Sequence, residues 1–150
     1  MGALALDFDA VLGDTRPLWR AWVEDVTRRA RIDVELPDDR AAAAEVLDRV
    51  VGNWPALLER FTEDRAPVHL RPSAQVNTIL RRLATNGVRL GAFTDAPEPL
   101  ARVAAAQLGV ARRLEALEAG AGALERLLER LGPGTSLVRT REELAAAAAG

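Results

Sequence analysis

The chain opens on a short apolar run, residues 3–8, that has no helical periodicity and ends in two acids, Asp7 and Asp9. A run of that length without a 3.6-residue repeat reads as a buried strand. After this strand come about 60 residues with helical patterning only, and then strand and helix signals in alternation, an order that few folds accommodate. Pro17 opens a helix whose apolar face carries Leu18, Trp19, Trp22, Val23, Val26 and Ala30, as proline does at a first turn. Residues 40–51 read as a second helix with Asp38 or Asp39 as N-cap, and residues 54–61 as a short third one. Residues 62–72 are polar, hold two prolines and read as a connection.

Ser73 then caps a helix with Val76, Ile79, Leu80 and Leu83 at helical spacing, stopped by Asn86-Gly87. Residues 88–93 read as a second strand ending in Thr94-Asp95, followed by a helix from Pro97 or Pro99 to Leu108. Residues 113–117 read as a weak third strand, 120–131 as a helix, 135–138 as a fourth strand and 142–149 as an alanine-rich helix. Strands that alternate with helices imply an α/β fold with a parallel sheet. Right-handed crossovers put every strand's C-terminal end on one edge, where ligands bind at the switch in strand order. The helical stretch after the first strand has no strand to pair with. It reads as a small helical cap, residues 15–71, inserted into a core of residues 1–14 and 72–150.

Composition narrows the chemistry. The chain of 150 residues has no cysteine, which excludes disulfides, thiolate metal sites and cysteine nucleophiles. Net charge is −2 with the signs interspersed, unlike the basic stripe of a nucleic-acid binder, so no nucleic-acid partner is expected. The first residues lack a basic n-region, and no apolar run approaches the ~20 residues of a membrane helix. A cytoplasmic protein without membrane contact is therefore expected. His69, the one histidine, falls in the expected connection, and neither Ser73 nor Ser136 sits in a nucleophile elbow. Nucleotide-binding glycine motifs are absent, and Gly120-Ala121-Gly122 reads as a strand-to-helix turn. Trp19, Trp22 and Trp54 read as core at helical spacing, with a cap pocket as the alternative.

The acids after the first strand carry the functional signal. Two residues apart on extended chain, Asp7 and Asp9 would point the same way. Adjacent carboxylates repel unless a cation or shared proton intervenes. Such a pair suits Mg²⁺, and can also divide into nucleophile and acid/base roles. The stretch Ala5-Leu6-Asp7-Phe8-Asp9-Ala10-Val11-Leu12-Gly13-Asp14-Thr15 resembles the first motif of the haloacid-dehalogenase-like (HAD-like) hydrolases, especially phosphoglycolate-phosphatase-like members with a helical cap. Ala10 stands where glycine is usual. The resemblance implies a Rossmann-like parallel sheet, Asp7 as the nucleophile that becomes an aspartyl-phosphate, and Asp9 as acid/base. The stretch Leu90-Gly91-Ala92-Phe93-Thr94-Asp95 resembles the second motif, with Thr94 as phosphate ligand; an N-cap role is its alternative.

The later motifs depart from the family. The third calls for a lysine near residues 117–123, yet all 20 basic residues of the chain are arginines. The fourth calls for Gly-Asp and a further acid. Here Arg139-Thr140 replaces Gly-Asp, or, aligned by Gly150, Glu142 takes the second acid's place and Val138 the first. The implied Mg²⁺ set is then Asp7, Asp9 and Glu142. Each like-charge pair at ~4 Å and an effective dielectric of ~20 costs about 4 kcal/mol, so these losses weigh on catalysis. Arg139 or Arg141, just past the fourth strand, could supply positive charge for the carboxylates or for a phosphate; the alternative is that both are solvated surface arginines. The resemblance implies a phosphatase of small phosphorylated metabolites with weakened activity. The alternative is an inactive relative that binds an anion or a protein. An open edge strand would also permit a homodimer.

Overall fold

A computed structural model describes residues 2–150 of the chain. Four parallel strands form one sheet in the order β3-β2-β1-β4: β1 (Ala3–Asp7), β2 (Arg89–Thr94), β3 (Ala116–Ala119) and β4 (Thr135–Val138). Seven α-helices accompany it: α1 (Arg16–Arg29), α2 (Arg40–Val50), α3 (Trp54–His69), α4 (Ala74–Thr85), α5 (Glu98–Gln107), α6 (Ala123–Leu131) and α7 (Arg141–Ala149). This is the α/β, all-parallel arrangement that the alternation of strands and helices predicts, and it is compatible with a Rossmann-like fold. Among the described residues no helix is long and apolar enough to cross a membrane.

The two faces of β1 differ in residue size, and the difference sets how the helices sit. Leu4 and Leu6 join one core cluster, while Ala3 and Ala5 join the other. The alanine face, with Ala116 and Gly91, receives α6, whose Leu127 and Leu131 are buried. A Cβ on Gly91 would stand 2.6 Å from Leu127 Cδ1, so this helix can lie close only over glycine. The leucine face carries α4 and α5. Both connect strands that step in one direction. The α6 crossover steps back past β1 to β4, so a right-handed path puts it on the opposite face.

The helical insertion is fused to the sheet rather than set apart from it. Trp19, Trp22 and Trp54 lie in the same continuous cluster as Leu6, Leu80 and Leu100. Trp22 stacks obliquely on both other tryptophans, with ring centroids 5.4 and 6.0 Å apart. Such pairs add about 0.5–1.5 kcal/mol to area burial. The tryptophans are core, as their spacing predicts.

Four local expectations are corrected. Residues 62–69, expected as connection, continue α3; Pro67 lies exposed in its last turns, where the carbonyl it leaves without an N–H partner faces water. His69 is therefore a helix end rather than a loop residue. β3 begins at Ala116, because residues 111–113 form a 3₁₀ turn and the pairing Gly91 to Ala116 sets the register. α6 begins at Ala123, because Gly120 and Gly122 hold positive φ values of 85° and 72° and form a turn.

Candidate functional site

The C-terminal ends of β1 and β2 hold the acids and the hydroxyl that the sequence singles out. β1 does not run on through Asp9. It stops at Asp7, and residues Phe8–Leu12 form a π-helical turn closed by Gly13 N–H donating to the Phe8 carbonyl at 3.0 Å. Such turns are rare and recur at functional sites. Asp7 caps the turn and Asp9 lies inside it, so the two carboxylates are not the aligned strand pair expected from sequence. Both still line one cavity of about 390 Å³, with Phe93, Thr94, Asp95, Asp39 and the Gly120–Gly122 turn.

The two acids live in different surroundings. Asp9 accepts four hydrogen bonds. Thr15 donates to Oδ1 from its backbone N–H at 2.8 Å and from its hydroxyl at 2.5 Å. Arg40 Nη2 donates to Oδ2 at 2.9 Å, and the Thr94 hydroxyl does so at 2.7 Å. A carboxylate offers about four lone-pair sites, so Asp9 has none free. Asp7 accepts one long bond, from Ala10 N–H at 3.4 Å, and has Arg139 Nη1 at 3.8 Å. Burial raises the Asp7 pKa above its ordinary value, the Ala10 N–H opposes this, the Asp9 charge adds to it, and Arg139 and Arg16 draw it back in part.

The organising residue is Arg40, which the sequence reading did not select. It opens α2, is 3% exposed, and is the only charged residue among the buried ones described. Besides Asp9 it reaches Asp95 Oδ1 from both Nη2 (2.6 Å) and Nε (3.1 Å), and the Thr15 hydroxyl from Nη1 (2.7 Å). A planar guanidinium can bond in these directions at once; an ammonium cannot. Its sequence signal was available: Arg40 shares the inner face of α2 with Ala43 and Leu47, at i, i+3 and i+7. A charge on an apolar helix face has to be paired.

Of the two expected arginines, Arg139 stands at a carboxylate and Arg141 does not. Arg139 lies beside Asp7 and over the Phe93 ring, 5.8 Å from its centroid, and is half exposed. Arg141 donates from Nε to the Val11 carbonyl at 3.0 Å, which ties α7 to the π turn. The positive charge at Asp9 comes from Arg40 instead. Thr94 is buried at the end of β2, and its hydroxyl donates to Asp9 and accepts from the Ala96 N–H; it is not the N-cap of α5, which is Pro97.

The set Asp7, Asp9 and Glu142 does not assemble. Glu142 is exposed in the first turn of α7, and among the described residues no three His, Cys, Asp or Glu side chains group as a metal site. Mg²⁺ asks for near-octahedral oxygen donors. With Asp9 saturated and Glu142 not grouped with the aspartates, Asp7 is the one member of the set with lone pairs free at the site, and the donors as arranged do not fit the ion. No family model and no curated protein matches the chain.

Proposed function

We propose that the chain is a HAD-like phosphomonoester hydrolase of low activity, acting through Asp7 on a small phosphorylated metabolite. The observation that carries this reading is the contrast within the acid pair: Asp7 ends the central strand with its oxygens open to the cavity, while Asp9 has its acceptor sites filled. Burial raises the pKa of Asp7, which makes its ionised form a stronger base and nucleophile than a solvated carboxylate. One Asp7 oxygen attacks phosphorus as the bond to the leaving oxygen breaks, and that oxygen takes up a proton. Water then attacks the aspartyl-phosphate and releases inorganic phosphate. Arg139 beside Asp7 supplies positive charge toward a bound phosphate, while Thr94 and Arg40 hold Asp9 in place. Asp9 acts as acid only when one of its four donors leaves.

That last condition supports a second reading, an inactive relative that binds an anion or a protein. A saturated Asp9 has no lone pair with which to take or give a proton. Hydrolysis of an aryl phosphate by wild type and Asp7→Asn, with and without Mg²⁺, separates the two. Slow turnover that Asp7→Asn abolishes is expected. Equal rates in both proteins, or none in either, would transfer the case to the second reading.

A further inference from the structure

The helices of the insertion are not equally attached. α1 buries Leu18, Trp19, Trp22 and Val26, and α3 buries Trp54, Leu58, Thr62 and Ala66. α2 buries only Ala43, Leu47 and Arg40. The chain enters α2 through residues 31–39, none of them buried, starting at Arg31 with a φ of 52°. It leaves through exposed Gly52 and Asn53. The C-terminal end of α2 has its own anchors, Leu47, buried Val51 and a hydrogen bond from Trp54 Nε1 to Asp48 at 2.8 Å. The N-terminal end depends on Arg40.

That end is also where the helix meets the site. Asp39 and Ala41 line the 390 Å³ cavity at Asp7, while Arg40 between them turns inward to Asp9 and Asp95. A second cavity of about 650 Å³, lined by Arg16, Trp19, Arg20 and Leu36, meets the other side of the same Arg40–Asp95 pair. Asp95 borders both cavities. Asp95, held by Arg40, is the residue the two cavities share.

We propose that the N-terminal end of α2 is a gate bolted by Arg40. In the bolted state Asp9 is withheld and the two cavities are separate. When Arg40 leaves Asp9 and Asp95, α2 pivots about its Trp54-anchored end, Asp9 regains lone pairs, and the cavities join. α1 and α3 stay in place, because the tryptophan cluster ties them to the sheet. The consequence for turnover rests on the hydrolase reading; the motion itself does not.

Hydrogen exchange on the intact chain tests the gate. Arg40→Gln should speed exchange of amides 41–46 by roughly tenfold or more through an opening that low urea does not accelerate, while α1 and α3 amides still exchange by the urea-sensitive global route, since local openings follow the contacts that close them. Asp95→Asn, which keeps the Asp9–Arg40 pair, should give a smaller acceleration in the same amides and decides the matter if Arg40→Gln fails to fold. Unchanged exchange at 41–46, or exchange there that rises with urea as steeply as in α1 and α3, would overturn the gate. A chain that exchanges as expected but hydrolyses no aryl phosphate keeps the gate and loses the hydrolase. If it does hydrolyse the ester, Asp95→Asn should raise the rate.

Discussion

The two halves of the functional edge are built differently. Where β1 and β2 end, Asp9, Thr15, Arg40, Thr94 and Asp95 form one network closed by a buried guanidinium. Where β3 and β4 end, the arginines are exposed. Arg126 donates to the Ala119 and Ala121 carbonyls and pairs with Glu118, while Arg139 and Arg141 reach single groups across the surface. Asp7 stands on the seam. One half neutralises its carboxylates from inside, and the other leaves that task largely to solvent. A buried network depends on each of its members, whereas a solvated one can lose any of them at little cost.

The largest effect should follow from breaking the buried half. Arg40→Met keeps most of the side-chain volume but leaves Asp9 and Thr94 without their cationic partner. Removing one member of a buried ion pair costs about 3 kcal/mol or more. Arg40→Lys should recover only part of this, because one ammonium cannot reach Asp9, Asp95 and Thr15 together. Urea unfolding of both variants measures it. A loss below about 1 kcal/mol for Arg40→Met would mean that the network is not a structural unit.

Asp7→Asn probes the seam, and its effect should be smaller and opposite in sign. The folded pKa of Asp7 lies above the ordinary value of 3.8, from burial and then the Asp9 charge. In the window just above 3.8 the folded chain holds a proton that the unfolded chain has released. Stability therefore falls as pH rises through that window, and at neutral pH the ionised Asp7 weighs against the fold. Asp7→Asn removes the charge and should stabilise the chain at pH 7 by less than about 1 kcal/mol. The gain should shrink as pH falls to about 4 and Asp7 protonates in the wild type. A gain that grows on acidification would show that Asp7 is held as a charged, satisfied group like its neighbour.

Much of this was legible in the sequence. The strand–helix alternation implied the parallel sheet, and the acids after β1 and the threonine after β2 marked the edge where they gather. The turn geometry was not legible, because a π-helical turn has no side-chain signature in Phe8–Leu12 beyond the closing Gly13. Arg40 was missed because residues near an N-cap are commonly solvated, which masks its place on the same face as Ala43 and Leu47. Glu142 was assigned by an alignment in sequence. In space it follows β4 into an exposed helical turn, away from Asp9. The sequence also says which charges are available but not which are satisfied, and the difference between Asp7 and Asp9 is one of satisfaction.

The smallest effect should come from Arg139→Ala, and it bears most directly on whether the exposed half is as loose as it looks. The pair with Asp7 is long, at 3.8 Å, and the Arg139 side chain is 53% exposed, so solvent screens it. Its stacking on Phe93 is similarly open to water. The change in stability should stay within about 0.5 kcal/mol. The titration of Asp7 should move instead, because Arg139 now draws that pKa down; without it the carboxyl should protonate at higher pH, seen by NMR of the side-chain carboxyl. A stability loss approaching that of Arg40→Met would erase the distinction between the halves. An unmoved Asp7 titration would leave Arg139 as a surface residue and remove it from the site, leaving Arg40 and Arg16 as the site's positive charge.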